Sequence, residues 1–323
     1  MIDSIKKILP NSRSTENTGF GSNAASYGGR FLNHDGTPNI EKKGIGFFAR
    51  VSWFHSMLSI SGWRFFLIIL FFYIFVNLLF TLVYYFIGVE HLIGLKTTSE
   101  SEKLTEAFFF STQTYTTVGY GRISPSGFLM NAVSSFHALI GLLSFAVATG
   151  LMYGRFSLPK AFIKFAENAV IAPYKEGSAL MIRLTPYKNT TLTDAETKLT
   201  LVIMTDENGK TTNQFFTLSL ELPSINALTL SWTVVHPITQ ESPLYNFTKE
   251  DFSNSKGEII VFVKAFDDKF SNTVIARTSY TFQEIIYGSK YVPMFYRDNE
   301  KDTTILDLDK LSVTEPAKLP EII

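Results

Sequence analysis

The chain contains no cysteine in 323 residues. That excludes a disulfide framework, a thiol nucleophile and a cysteine-ligated zinc, and it fits a reducing compartment for any soluble part. Net charge is absent as well, since 29 basic residues balance 29 acidic ones. With no basic surplus, nucleic acid is not an expected partner. Histidine is sparse, with copies only at 34, 55, 91, 137 and 236, and no His-Glu-x-x-His pair or Gly-Lys-Ser/Thr loop occurs. Gly19-Phe20-Gly21-Ser22-Asn23-Ala24 has dinucleotide-fingerprint spacing, but no strand precedes it and no amphipathic helix follows. An enzyme is not expected, and neither is an organic cofactor.

What the chain does have is apolar surface, unevenly spread. No Asp, Glu, Lys or Arg occurs from Phe65 to Val89, a run of 25 residues, or from Ile123 to Gly154, a run of 32. Each exceeds the ~20 residues a helix needs to cross a bilayer core. The first begins too far in, and runs too long, for a secretory signal, whose apolar segment is ~7–15 residues. Lys42, Lys43, Arg50 and Arg64 precede the first run, and Arg155, Lys160 and Lys164 follow the second. Between them the charges are mixed: Glu90, Lys96, Glu100, Glu102, Lys103 and Glu106. Basic flanks on both outer sides predict a multi-pass protein of the cell (inner) membrane with both termini cytoplasmic.

Four segments follow. Residues 1–45 form the N-terminal cytoplasmic arm, of which 1–40 are polar and Gly/Ser/Asn-rich and much is expected to be extended or mobile. Residues 46–62 carry an amphipathic slide helix in the membrane interface; the alternative is a short soluble helix packed on the C-terminal domain. Residues 63–157 form a transmembrane pore domain with an outer helix at 63–89 and an inner helix at 128–157, stopped by Pro159. "LTEAFFFSTQTYT" at 104–116 is too short to cross and reads as a re-entrant pore helix. Residues 158–323 alternate β-branched and aromatic runs with polar turns such as Asp206-Glu207-Asn208-Gly209. The runs lie at 179–184, 198–204, 215–222, 228–238, 258–266 and 273–282, which predicts an all-β immunoglobulin-like sandwich.

The most informative stretch is Thr116-Thr117-Val118-Gly119-Tyr120-Gly121, between pore helix and inner helix. Thr-Val-Gly-Tyr-Gly is the known sequence of potassium selectivity filters, in which four loops present carbonyl rings that replace the ion's hydration shell. Gly119 and Gly121 tolerate the backbone angles that let successive carbonyls face one way. The candidate filter is Thr117 to Gly121, with K+ held by the backbone of Thr117, Val118, Gly119 and Tyr120 and the Thr117 hydroxyl adding the innermost ring. Alone, the run also fits a turn in a soluble loop.

Beyond the filter, "RFLNHDGTPNI" (30–40), "ATGLMYGRFSLPKAFIKFAENAVIAPY" (148–174), "ALMIRL" (179–184), "LSWTVVHPITQESPLY" (230–245) and "ARTSYTFQEIIYGSKYVPMF" (276–295) recur in a familiar order. Over nearly its whole length the chain resembles a prokaryotic inward-rectifier potassium channel of the KirBac type. The resemblance implies a homotetramer, a transmembrane pore continued by a cytoplasmic ring, and gates at the inner-helix crossing and at a cytoplasmic loop. Gly141 and Gly150 take the family's hinge positions, and Tyr153 that of the bulky bundle-crossing residue, although an interfacial anchor is its other reading. Phe145 and Thr149 would line the cavity. Phe270 to Ile275, including Ser271 and Asn272, would form the gating loop, and Asp194 would line the cytoplasmic pore.

Departures from the family carry consequences. Members usually have a glutamate six residues before the first filter glycine, where this chain has Gln113; in many eukaryotic members it braces the filter through an ion pair with an arginine. Arg122 follows the filter where bacterial relatives often have aspartate. Filter support is assigned to Gln113, Thr116 and Arg122. Phe145 replaces the residue that binds polyamines in strong rectifiers, and Lys264 stands where another acid is common. Weak rectification is expected, with polyamine or Ba2+ as blockers. His137 should face the pore helix, either as a pH sensor or as a packing residue. The family also binds phosphoinositides or other anionic lipids, for which Arg50, Arg155, Lys160 and Lys164 are the candidates.

Two rivals have distinct signatures. A two-span sensor with a soluble ligand-binding sandwich leaves the pore helix and filter without a purpose. A channel with a nucleotide-binding domain would alternate strands and helices after residue 160, which this chain does not do.

Overall fold

The computed structural model describes residues 30–44, 46, 52–95, 99–207 and 210–320. Arg50, Lys96, the start of the expected slide helix, Gly19–Ala24 and the Asn208-Gly209 turn lie outside the described residues. The chain divides into two units, one of residues 43–158 and one of residues 159–323 together with the N-terminal segment before residue 43.

The first unit is helical. Helix α1 (Trp53–Ser59) is capped by Ser52, whose Oγ accepts from the His55 amide. Helix α2 (Gly62–Ile87) ends at Gly88, whose φ of +115° breaks the helix two residues short of the expected boundary. Helix α3 (Glu100–Tyr115) starts four residues before the expected pore helix. Glu100 and Glu102 lie in its first turn, where the positive end of the helix dipole favours carboxylates, so charges read as loop belong to the helix. Helix α4 runs unbroken from Phe128 to Ser157. The apolar windows of α2 and α4 have mean hydropathy 2.7 and 1.7, yet only 22% and 11% of them is buried. Apolar helices that face outward belong in lipid or against other chains rather than in a soluble core. The small interior between them is built from Val76, Phe80 and Tyr84 of α2, Ala107, Phe110 and Tyr115 of α3, and Met130 of α4.

The second unit is a sandwich of two five-stranded sheets. Its strands are β1 (Ile163–Phe165), β2 (Ala169–Tyr174), β3 (Gly177–Pro186), β4 (Leu192–Glu207), β5 (Lys210–Leu218), β6 (Ser224–Leu228), β7 (Trp232–Pro237), β8 (Gly257–Asp267), β9 (Asn272–Thr281) and β10 (Ile285–Tyr287). One sheet has the order β9-β8-β4-β5 with β6 also pairing β4; the other has β10-β2-β3-β1 with β7 also pairing β3. Alternate residues such as Leu199, Leu201, Ile259, Val261 and Val263 meet Leu180, Ile182, Leu184 and Val234 in the shared core.

Two sequence expectations need correction here. The run 228–238, read as one segment, is broken after Leu228: β6 belongs to one sheet and β7 to the other. Residues 30–39 are not a mobile arm. Glu258 accepts hydrogen bonds from the Phe31 and Leu32 amides at 2.6 and 3.1 Å, and Arg30 Nη1 pairs with Glu284 at 2.8 Å. Gly36, at φ +79°, lies so close to β9 that a Cβ there would sit 2.3 Å from the Arg277 carbonyl oxygen.

Candidate functional site

The filter run leaves the C-terminus of α3 still tied to it. Thr117 N donates to Thr114 O at 3.1 Å, Val118 N to Gln113 O at 3.0 Å and Gly119 N to Gln113 O at 3.4 Å. Gln113 thus holds the run through its backbone carbonyl. Thr116 continues the helix, its hydroxyl donating to Thr112 O at 2.7 Å.

Backbone angles give the run its chemistry. Thr117, Gly119 and Gly121 have φ of +59°, +52° and +79°, while Val118 and Tyr120 stay negative. Such alternation in the sign of φ is the backbone pattern that lets successive carbonyls face the same edge. The glycines do this freely. Thr117 does not, because a β-branched residue at positive φ is a genuine outlier that costs ~1–3 kcal/mol. Sequence alone pointed to two glycines; the third inverted position is a threonine, which no composition rule would reveal. The run is exposed on this lone chain, with Tyr120 at 79%.

Around it, His137 is fully buried, stacked on Phe80 with ring centroids 3.8 Å apart, and bonded through Nδ1 to the Tyr84 hydroxyl at 2.9 Å. Its ring lies 5.8 Å from that of Tyr115. Gly141 has a role the sequence did not show. A Cβ there would lie 2.0 Å from Tyr115 O, so its bareness lets α4 approach the end of the pore helix closely. Gly150 has nothing within 4 Å of such a Cβ. Phe145, Thr149, Gly150 and Tyr153 are all exposed on α4, with Phe145, Thr149 and Tyr153 four residues apart along one stripe.

The lipid candidates fare unequally. Arg155 donates to Met57 O at 3.3 Å and to Ile60 O, and lies 5.4 Å above the Phe65 ring, so it ties α1 and α2 to α4. Lys160 and Lys164 belong to the β unit and are exposed, with Lys164 5.5 Å from the Tyr187 ring. Arg50 lies outside the described residues.

In the β unit, Asp194 sits at a register break of the β4–β8 pair with φ +47°, exposed, and Glu196 stands opposite Lys264. The expected loop 270–275 is shorter than predicted. Asn272 to Ile275 pair with Asp267 to Lys264 in the β8–β9 hairpin, leaving 268–271 as the turn, with Ser271 at φ +47°. Buried Asp267 holds that turn, accepting from Lys269 N at 2.9 Å, Phe270 N at 3.3 Å and Thr190 Oγ1 at 3.1 Å. Sequence reasoning missed it, although an aspartate at a turn entrance is a readable signal.

His236 is structural. Nδ1 meets Ser219 O at 2.6 Å and Nε2 meets Ser242 Oγ at 2.8 Å, while Ser242 Oγ also accepts from Leu244 N. Burial holds its pKa below the usual histidine value, against a smaller opposing effect of the Ser219 carbonyl. The fold therefore favours neutral imidazole, and its stabilisation is complete above the unfolded value of ~6.5 and is lost as pH falls toward the folded value. Thermal midpoints of the purified chain should drop below pH ~6.5, and His236→Gln should flatten that acid limb; an unchanged limb would exclude this residue as its source.

Among the described residues no group of three or more His, Asp or Glu side chains is placed to hold a metal. Comparison with known proteins fits the geometry. Residues 163–322 match the family described as "Inward rectifier potassium channel C-terminal domain", and residues 68–157 match "Ion channel". The chain is 34% identical over 273 residues to the inward rectifier potassium channel Kirbac3.1 of Paramagnetospirillum magnetotacticum, covering 82% of this chain and 89% of that one. It is 25% identical to inward rectifier potassium channel irk-1 of Caenorhabditis elegans, over 68% of this chain and 42% of that one. It is 26% identical to human G protein-activated inward rectifier potassium channel 4, over 58% and 47%. These are ion channels rather than enzymes. With a two-helix pore unit, an inverted-glycine run and a β sandwich collinear with such relatives, the chain belongs to the prokaryotic inward-rectifier potassium channels.

Proposed function

We propose that four copies of this chain assemble around one axis in the cell membrane and conduct K+ passively, with both termini in the cytoplasm. The observation that carries this is the alternation of φ at Thr117, Gly119 and Gly121. One chain offers a single column of carbonyls, which cannot encircle an ion; four columns replace its hydration shell. K+ then rests against the backbone oxygens of Thr117, Val118, Gly119 and Tyr120. No organic cofactor enters this reading. The test is rubidium uptake into liposomes holding the purified protein: barium-sensitive uptake that excludes sodium supports it, and equal sodium passage refutes it.

Gating follows from the exposed stripe of α4. Four Tyr153 side chains meeting at the helix crossing would dewet the path, with Gly150 giving the helix freedom to bend and Phe145 and Thr149 lining the cavity above. The β8–β9 turn, with Phe270, Ser271 and the flanking strand residue Asn272, supplies the second constriction. Anionic lipid headgroups bind Lys160, Lys164 and Arg50, while Arg155 supports the helix junction. Rectification is weak, because Phe145 is uncharged and Lys264 offsets Glu196 beside Asp194. Internal spermine should therefore reduce outward current only modestly; steep voltage-dependent block would contradict this.

A further inference from the structure

The hydrogen bonds from filter amides to α3 end at Gly119 among the described residues, which leaves the outer part of the filter to be held by something else. Arg122 is the residue that emerges there, and it is held twice. Its backbone is wedged against the loop after α2: Gly94, at φ +100°, comes so near that a Cβ would lie 1.9 Å from Arg122 O. Just beyond, Ile93 pairs with Ser124 and Leu92 with Pro125 in a short antiparallel ribbon, and Ile123 is buried. Its guanidinium pairs with Glu106 of α3, with side chains 50% and 27% exposed. Glu106 and Gln113 are seven residues apart, two helical turns, so both lie on the α3 face that follows the filter. The usual acid is missing at 113, but an acid stands two turns further out, at the level of the filter's last residue.

We propose that Glu106 is a positioning residue for the selectivity filter: its ion pair with Arg122 fixes the outer end of the filter, in place of a charge at position 113. The pair also cancels Arg122 electrically. In a fourfold pore an unpaired arginine at this position would set four positive charges at the mouth and oppose cation entry. The inference rests on the conduction reading above, because only a conducting filter makes this end matter.

The test uses the full-length protein in liposomes and bilayers, measuring potassium-over-sodium permeability together with unitary conductance. Unaltered protein without barium-sensitive rubidium flux would defeat the conduction reading itself. Given that flux, E106Q and R122Q should each lower selectivity, by about two- to fivefold, the range that a partly exposed ion pair's coupling allows. The charge swap E106R/R122E should recover most of it, and R122K should stay near the unaltered protein. E106Q and R122Q should meanwhile move conductance in opposite directions at low salt, a difference that fades at 1 M salt where the screening length falls to ~3 Å. Single variants with unaltered selectivity would overturn the proposal. So would conductance shifts without any selectivity change, which would make the pair a mouth charge only. If the swap does not assemble, R122K decides: a loss as large as that of R122Q overturns the proposal, and retained selectivity supports it.

Discussion

Gly141→Ala should cut barium-sensitive rubidium flux per protein at least tenfold. The added Cβ would lie 2.0 Å from Tyr115 O, 2.8 Å from its carbonyl carbon and 3.0 Å from its Cα. All three atoms are backbone, so no side-chain rotation relieves the overlap. Ordinary contact begins at 3.4 Å, so α4 and the end of α3 must part by more than an ångström. Overpacking of this kind costs ~1–3 kcal/mol even where side chains can yield. Tyr115 is the last residue of α3, and the carbonyl column starts two residues later. On the conduction reading proposed above, a displacement there passes into the carbonyl rings that would have to match a dehydrated ion, where ångström errors are expensive. Gly150→Ala is the control. Nothing lies within 4 Å of its Cβ, and the change adds only ~0.5–1 kcal/mol of helix preference. It should conduct, with open probability altered by at most about fivefold. Equal flux from Gly141→Ala and the unaltered chain would show that this approach does not matter to the filter.

The contrast between those glycines shows what the sequence made legible. Apolar runs announced α2 and α4, because length and lack of charge are properties of composition and need no partner to be read. The Gly-Tyr-Gly run was legible for the same reason: glycine marks where inverted backbone is cheap. Thr117 was illegible, since its left-handed conformation is imposed by surroundings against its own preference. Gly141 was visible as a glycine, but a hinge and a close approach look alike until the neighbouring backbone is known. Glu106 stayed hidden because its role depends on Arg122, 16 residues away, and on the turn that brings the filter back along α3. Local charge misled at the start of α3, where Glu100 and Glu102 stabilise the helix they were read as preceding. In the sandwich, β-branched runs marked most strands, but the break between β6 and β7 follows from sheet pairing rather than from residue type.

Arg183→Met should destabilise the second unit by about 3 kcal/mol, since a buried carbonyl left without its donor costs ~1–3 kcal/mol. Arg183 is 4% exposed on β3 and meets no carboxylate among the bonds it makes. Its guanidinium donates instead to four backbone contacts: Val292 O at 2.6 Å, Lys310 O at 2.5 Å, and Leu311 O at 3.0 and 2.7 Å. The Tyr291 ring lies 4.4 Å from the guanidinium carbon, and the Tyr291 hydroxyl donates to Asn168 O at 2.6 Å. Burial lowers the arginine pKa, yet a guanidinium keeps its proton, so the site holds a permanent cation that only carbonyls and a ring face satisfy. Those carbonyls belong to the segment that includes the ribbons Ser289–Tyr291 with Thr314–Pro316 and Phe295–Asp298 with Thr303–Leu306. Besides this fork, that segment is held by a small cluster of Ala166, Met294 and Leu311, by the Tyr291 hydroxyl and by Ser312 Oγ, which accepts from Glu167 N at 3.0 Å. Methionine replaces the apolar stem but none of the donors, leaving Val292 O and Leu311 O without this partner and Lys310 O with only the 3.3 Å bond from Val313 N. Lysine cannot rescue them, because a tetrahedral ammonium does not reproduce the planar fork. Hydrogen exchange on the full-length protein would locate the loss: amides of 289–316 should exchange faster by two orders of magnitude or more, while those of β4 and β8 keep most of their protection. Unchanged exchange in 289–316 would mean that the segment is held by its own strand pairs, and that the buried cation is dispensable.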